Sequence, residues 1–330
     1  MNHAKNIQLA FMTKVKTAIP ANVSFVDELA DLLKTSNDSA YRRIRGETLL
    51  SIDEITAICS YFKVSLETAA QPDSETVTFN YRILNGRSED FKNWLATLLD
   101  NVKRISASGG SVMYAADDVP VWHHFFRDDF ASFKVFYWLK SILNAPEFEN
   151  KPFDKDLIDP DLVIKARELL SEYNKLNSTE IWTEDTLNST LKQIEYYWES
   201  GFFTDRATAL LMCDCVEEEV TILRRNAERC SKLEGENGAT IENFSFYQSE
   251  IMVGNNSILA NIGETKIAYV SNNTFNFMTT MDRSFVNENE TWLRNLLRKS
   301  ILISGVNEKQ RNKFFTTLKH KIDGLRATIK

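Results

Sequence analysis

The chain has 330 residues, 43% of them hydrophobic and 26% charged, with a net charge of −7. That length allows two domains, the composition is that of a globular rather than a disordered chain, and the acidic balance argues against nucleic-acid binding over the whole surface. Against 21 phenylalanines stand only 11 glycines and 6 prolines, which predicts long helices with aromatic cores. No run approaches the roughly 18 apolar residues that a membrane-crossing helix needs, so no membrane partner is expected. The first twenty residues lack a basic head followed by an apolar stretch, so no signal peptide is expected either. Cys59, Cys213, Cys215 and Cys230 form no metal-binding spacing, and a reduced, cytoplasmic set of thiols is expected.

Charge is unevenly spread. Residues 1–70 carry eight basic and eight acidic side chains, so the whole excess of negative charge lies in residues 71–330. Any contact with phosphate must then be concentrated locally. In chain order, residues 4–19 predict a helix. Ser24, with Asp27 in the following turn, predicts the start of a second, carried by Val26, Leu29, Ala30 and Leu33. Thr35 to Asp38 interrupts the periodicity with cap-forming residues, Ala40 and Ile44 resume it, and Gly46 ends it. Ser51 and Glu54 form an S-x-x-E capping box ahead of an expected buried stripe of Ile52, Ile55, Ile58, Cys59 and Phe62. Ser65 is expected to cap a last short turn. Two of these helices, 24–33 and 36–45, are too closely joined to lie side by side and must cross steeply.

The block VDELADLLKTSNDSAYRRIRGETLLSIDEITAICSYFKVSLETA resembles the lambda-repressor-like (XRE-type) helix-turn-helix family, close to the BetR-type bacterial transcription regulators. Ala30, Ala40, Ile44 and Gly46 match the family's packing pattern, as do the S-x-x-E helix and the KVSLE segment. Lys34 departs from it, standing where many members carry a turn glycine; lysine there needs a left-handed backbone or a different turn. The resemblance implies a sequence-specific regulator bound to a double-stranded DNA operator. It places the base-reading residues in the first turn of the recognition helix, at Asn37, Asp38 and Ser39. On a helical projection Ala40 and Ile44 face inward, while Asp38, Tyr41, Arg42 and Arg45 face outward. Tyr41 and Arg42 follow as base readers; Arg43 and Arg45, nearer the helix end, suit phosphate, and Thr48 completes the candidate set. The competing reading is a solvated helix face on a domain that binds another protein.

Residues 71–76, which include Pro72, read as a linker, and 77–330 as a larger α+β domain. The expected class is therefore mainly α, α+β overall: a helix-turn-helix bundle, then a domain with a mostly helical half and a half containing an antiparallel meander. Val77–Tyr81 and Val112–Tyr114 predict strands, and Phe91 to Val102 an amphipathic helix. Residues 120–143 predict one aromatic helix, buried in a core or in an oligomer interface. Helices follow over 161–176, 184–199 and 205–233, the last with a stripe of small residues that suits an intramolecular bundle or a coiled-coil dimer. Phe244–Val253, Ile258–Ile262 and Lys266–Val270 predict the meander, with turns at Gly254 to Asn256 and Gly263-Glu264. Two helices close the chain, over 289–302 and 307–325.

Little chemistry is expected in this larger part. Adjacent His123 and His124 point about 100° apart on a helix and make a poor shared metal site, and Asp117-Asp118 is expected to cap the next helix. Glu217–Glu219 reads as a solvated face. With no phosphate-binding loop, G-x-S-x-G or HExxH, neither an enzyme nor a cofactor is expected. The expectation is a cytoplasmic homodimer responding to a small-molecule or protein effector. The alternative is a scaffold protein using its first domain to hold a protein partner.

Overall fold

A computed structural model describes residues 2–17, 19, 23–62, 64, 66, 76–233 and 241–330. Two units are distinguished: residues 1–80 together with Thr280–Phe285, and Tyr81–Thr279 together with Val286–Lys330. Among the described residues there are eleven α-helices and eight strands in one mixed sheet, an α+β protein that is mainly helical. The expected cap at Ser65 and all but the last residue of the expected linker lie outside the described residues.

In the first unit, α1 (Asn2–Thr17), α2 (Phe25–Leu33), α3 (Asn37–Ile44) and α4 (Ile52–Phe62) enclose a small core of Phe11, Met12, Val15, Phe25, Leu29, Ala30, Ala40 and Ile58. The Ser24 side chain caps α2 at the Asp27 amide and Ser36 caps α3 at the Ser39 amide. Both satisfy amides that have no partner within the helix. Between them Lys34 adopts the left-handed conformation (φ 50°, ψ 51°) that its place in the turn demands, and the Thr35 amide reaches back to the Ala30 carbonyl at 2.9 Å. The capping box forms in both directions: Glu54 N donates to Ser51 Oγ at 3.1 Å and Ser51 N to Glu54 Oε2 at 2.8 Å. Ile52 corrects the expected stripe. It is 81% exposed, because the first residue of the helix projects beyond the ring of neighbours that covers Ile58.

A return of the chain completes this unit. Lys14 pairs with Asp282 at 2.9 Å, Thr280 Oγ1 donates to the Thr78 carbonyl at 2.8 Å, and the rings of Phe79 and Phe285 meet edge to face.

The second unit is organised by a sheet of order β1-β7-β6-β5-β2-β3-β4-β8. Its strands are β1 (Asn80–Tyr81), β2 (Ser111–Ala116), β3 (Asn177–Trp182), β4 (Phe244–Gln248), β5 (Ser257–Ile262), β6 (Thr265–Asn272), β7 (Asn276–Thr280) and β8 (Ile301–Leu302). The centre, β2-β3-β4, is parallel, with β5 antiparallel to β2 on one side and β8 antiparallel to β4 on the other. Parallel neighbours need long crossovers. Here α6 (Asp128–Tyr137) and α7 (Pro160–Lys175) connect β2 to β3, and α8 (Asn188–Glu199) and α9 (Arg206–Arg229) connect β3 to β4. Before β2 comes α5 (Ser88–Ala107); α10 (Arg283–Lys299) and α11 (Glu308–Thr328) come last.

Several expectations are corrected here. The meander begins at β5, not β4: β5 and β6 form the hairpin at Gly263-Glu264, but β4 lies on the far side of β2 and β3. Alternation along β4 predicts a strand without naming its neighbour. One sheet runs through the unit, so there are no separate helical and meander halves. Of Val77–Tyr81 only Asn80–Tyr81 is paired as strand. The aromatic segment is three pieces rather than one helix: a 3-10 turn (Val121–Phe125) after Pro120, then α6, then a π turn (Trp138–Ile142). Arg127, in extended backbone, makes the break. Phe130, Phe133 and Phe136 are fully buried in the unit's own core, so they supply no oligomer interface. The small-residue stripe of α9 is buried in that core too.

Candidate functional site

On α3 the side that faces the core carries Ala40, fully buried. The opposite side presents Asp38, Tyr41, Arg42 and Arg45, all exposed. Their spacing of three, four and seven residues places them in one row along the helix. Arg45 leans back over the Tyr41 ring, its guanidinium carbon 5.9 Å from the ring centre, and lies 3.4 Å from the Glu47 carboxylate. Asn37 is exposed as well, and its amide donates to Asp27 Oδ1 at 2.8 Å. Ser39 is half-buried beneath the Ser36 cap.

The remaining candidates hold the helix in place. Arg43 is half-buried and lies 2.8 Å from the Glu54 carboxylate, while its Nη1 donates to the Ser39 carbonyl. Burial alone would raise the Glu54 carboxyl, but the Ser51 amide and the Arg43 guanidinium hold it below its ordinary range. Arg43, Glu54 and Ser51 therefore link the recognition face to the start of α4. Thr48 is half-buried, and its amide donates to the Arg42 carbonyl at 3.3 Å.

Sequence reasoning missed Gln8. Its Nε2 donates to the carbonyls of Arg43 and Thr48, each at 2.8 Å, and its Oε1 accepts from the Leu50 amide at 3.0 Å. One buried side chain on α1 thus fixes the turn that follows α3. The signal was present: Gln8 continues the stripe of Phe11, Met12 and Val15, the place for a buried residue.

In the second unit the histidines are neither a metal pair nor a solvated loop. His123 Nε2 lies 2.8 Å from Glu180 Oε1, and Glu180 also accepts from the Tyr173 hydroxyl and the Trp182 indole. Burial alone would raise Glu180, but His123 above all keeps it below the usual carboxylate range. His124 Nδ1 meets Glu219 Oε1 at 2.9 Å. Glu219, expected in a solvated run, is only 2% exposed, because α9 turns it from its solvated neighbours into the core. Burial pushes its carboxyl up to about 8 and holds the His124 imidazole well below its ordinary range, so both favour their neutral forms. Asp118 does not cap the next helix; it accepts from the Val119 amide and the Ser189 hydroxyl. Among the described residues no group of three or more His, Cys, Asp or Glu side chains could hold a metal ion. Burial pushes the Cys213 thiol up to about 11 and Cys215 up to about 12, which disfavours their reactive thiolates.

Among the described residues no helix is long and apolar enough to cross a membrane. No family model, no curated protein and no solved structure matches the chain.

Proposed function

We propose that the chain is a sequence-specific, duplex-DNA-binding transcription regulator of the helix-turn-helix kind, a binding protein and not an enzyme. The first unit reads the operator, and the second receives an effector or joins a second copy. The observation behind this reading is the row Asp38, Tyr41, Arg42 and Arg45, exposed on a short, doubly capped helix whose other side is buried. Arginine grips guanine with two hydrogen bonds in the major groove, which suits Arg42; Arg45, at the helix end, suits phosphate. Arg43 serves by holding the helix against Glu54. Action in the cytoplasm on paired half-sites as a homodimer belongs to the same proposal, since symmetric pairing multiplies weak contacts.

The experiment is selection of genomic fragments by the full-length protein, followed by titration of the selected duplex. Arg42→Ala is expected to cost about 1–3 kcal/mol of specific affinity while changing stability by about 0.5 kcal/mol or less. Arg45→Ala is expected to weaken all duplexes alike and flatten the salt dependence. Failure to retain any duplex at low salt, with or without cell extract, overturns the proposal.

A second reading, a protein-binding first unit, is favoured by one observation: the apolar Leu49 and Ile52, close in sequence, are 60% and 81% exposed. Replacing both with serine would abolish capture of a protein partner and leave duplex binding intact.

A further inference from the structure

A cavity of about 210 Å³ opens beside α9. Phe126, Leu170 and Ile222 give it an apolar wall, and Glu219, Arg225 and Lys232 supply charge, with His123 behind them. Glu219 is the telling member. It is almost fully buried, its Oε1 is taken by His124, and its Oε2 has no hydrogen-bond partner. An unpaired buried polar atom costs free energy unless something else satisfies it. Lys232 is buried too, and its ammonium is fixed by the Tyr173 and Leu176 carbonyls at 3.1 and 2.9 Å. Arg225 is the exposed cation of the lining.

We propose that this cavity binds a small organic carboxylate, its apolar body against Ile222 and Leu170 and its anionic head toward Arg225 and Lys232. Two cationic side chains against one carboxyl group favour an anion over a cation. The size follows from packing: a cavity of about 150 Å³ takes benzene, so this one takes a body of about eight non-hydrogen atoms. Burial pushes Glu219 up to about 8 and Lys232 down to about 7. Near neutral pH Glu219 can therefore donate a hydrogen bond to the ligand's carboxylate, and an arriving anion draws a proton onto Lys232. Binding is accompanied by proton uptake. The proposal is independent of the DNA reading, and its test contains no DNA.

The experiment is titration calorimetry on the full chain with butyrate, hexanoate and benzoate, against their neutral amides and the matching primary amines. Saturable carboxylate binding is expected, at least tenfold tighter than that of amides or amines, with a heat that depends on the ionisation enthalpy of the buffer. Arg225→Gln, at an exposed position, should weaken it at least tenfold, and Ile222→Trp, which fills the cavity, should abolish it. Because Ile222→Trp could disturb folding, a crystal of the wild-type protein soaked in benzoate gives a second readout, with the ring expected against Ile222. The proposal is overturned by no carboxylate binding, by tighter amine binding, by binding indifferent to Arg225→Gln, or by ordered water alone in the soaked cavity.

Discussion

The two units dispose of their polar residues in opposite ways. In the first, the charged side chains lie at or near the surface, and the one polar side chain in its interior, Gln8, bonds only to backbone. In the second, carboxyls, imidazoles and ammonium groups are buried beneath aromatic rings and satisfy one another: His123 with Glu180, His124 with Glu219, Lys134 with Gln193. A unit of the first kind presents its chemistry outward, to a partner. One of the second kind keeps its chemistry inside, where a change of charge alters the stability of the core itself.

The sharpest way to break this contrast is Glu180→Ala. It strands His123, Tyr173 and Trp182 at once, and loss of one member of a buried pair costs about 3–5 kcal/mol. Chemical denaturation of the full chain should show the second unit unfolding far earlier. A loss below 1 kcal/mol would mean that the pair is solvated and the contrast false. In the first unit the counterpart is Gln8→Leu. It leaves two carbonyls and an amide without their partner, at about 2 kcal/mol in a partly buried setting. Hydrogen exchange should quicken at Leu50, whose amide Gln8 accepts; unchanged protection there would remove Gln8 from its holding role.

The smallest effect is one of pH. Glu219 is raised to about 8 in the folded chain by burial, from a model value of 4.5. Between those values the folded state holds a proton that the unfolded state has lost, so this group makes stability fall as pH rises from about 4.5 to 8, by up to about 1.4 kcal/mol per pH unit. Lys232, lowered to about 7 by burial, acts in the opposite sense: above that value the unfolded chain holds the extra proton and stability rises. Glu219→Gln should flatten the fall in melting temperature between pH 5 and 8. If wild type and variant run parallel across that window, Glu219 does not titrate there.

The same contrast governs what could be read from the sequence. Caps, turns and the packing stripe are local, so the bounds of α2 and α3, the capping box and the left-handed turn at Lys34 follow from neighbouring residues. The outward row on α3 follows from helical projection alone. Ile52 shows the limit even here, since a stripe cannot say where the covering neighbours stop. In the second unit the decisive pairs are distant: Glu180 lies 57 residues from His123, and Glu219 lies 95 from His124. Nothing local distinguishes Glu219 from Glu218. The strands of the meander were legible as strands, but the insertion of β2 and β3 between β4 and β5 is a matter of topology that alternation does not encode. Pro120 marked the start of the broken aromatic segment, whereas the extended Arg127 within it had no such mark.

The return of Thr280–Phe285 to the first unit has a genetic consequence. A gene fusion or a single recombination event that transplanted residues 1–80 would carry α1 to α4 but leave Asp282, the partner of Lys14, behind. This DNA-reading candidate is therefore not a portable cassette. Its exchange between proteins requires two simultaneous crossovers, and its evolution is tied to that of the chain that follows it.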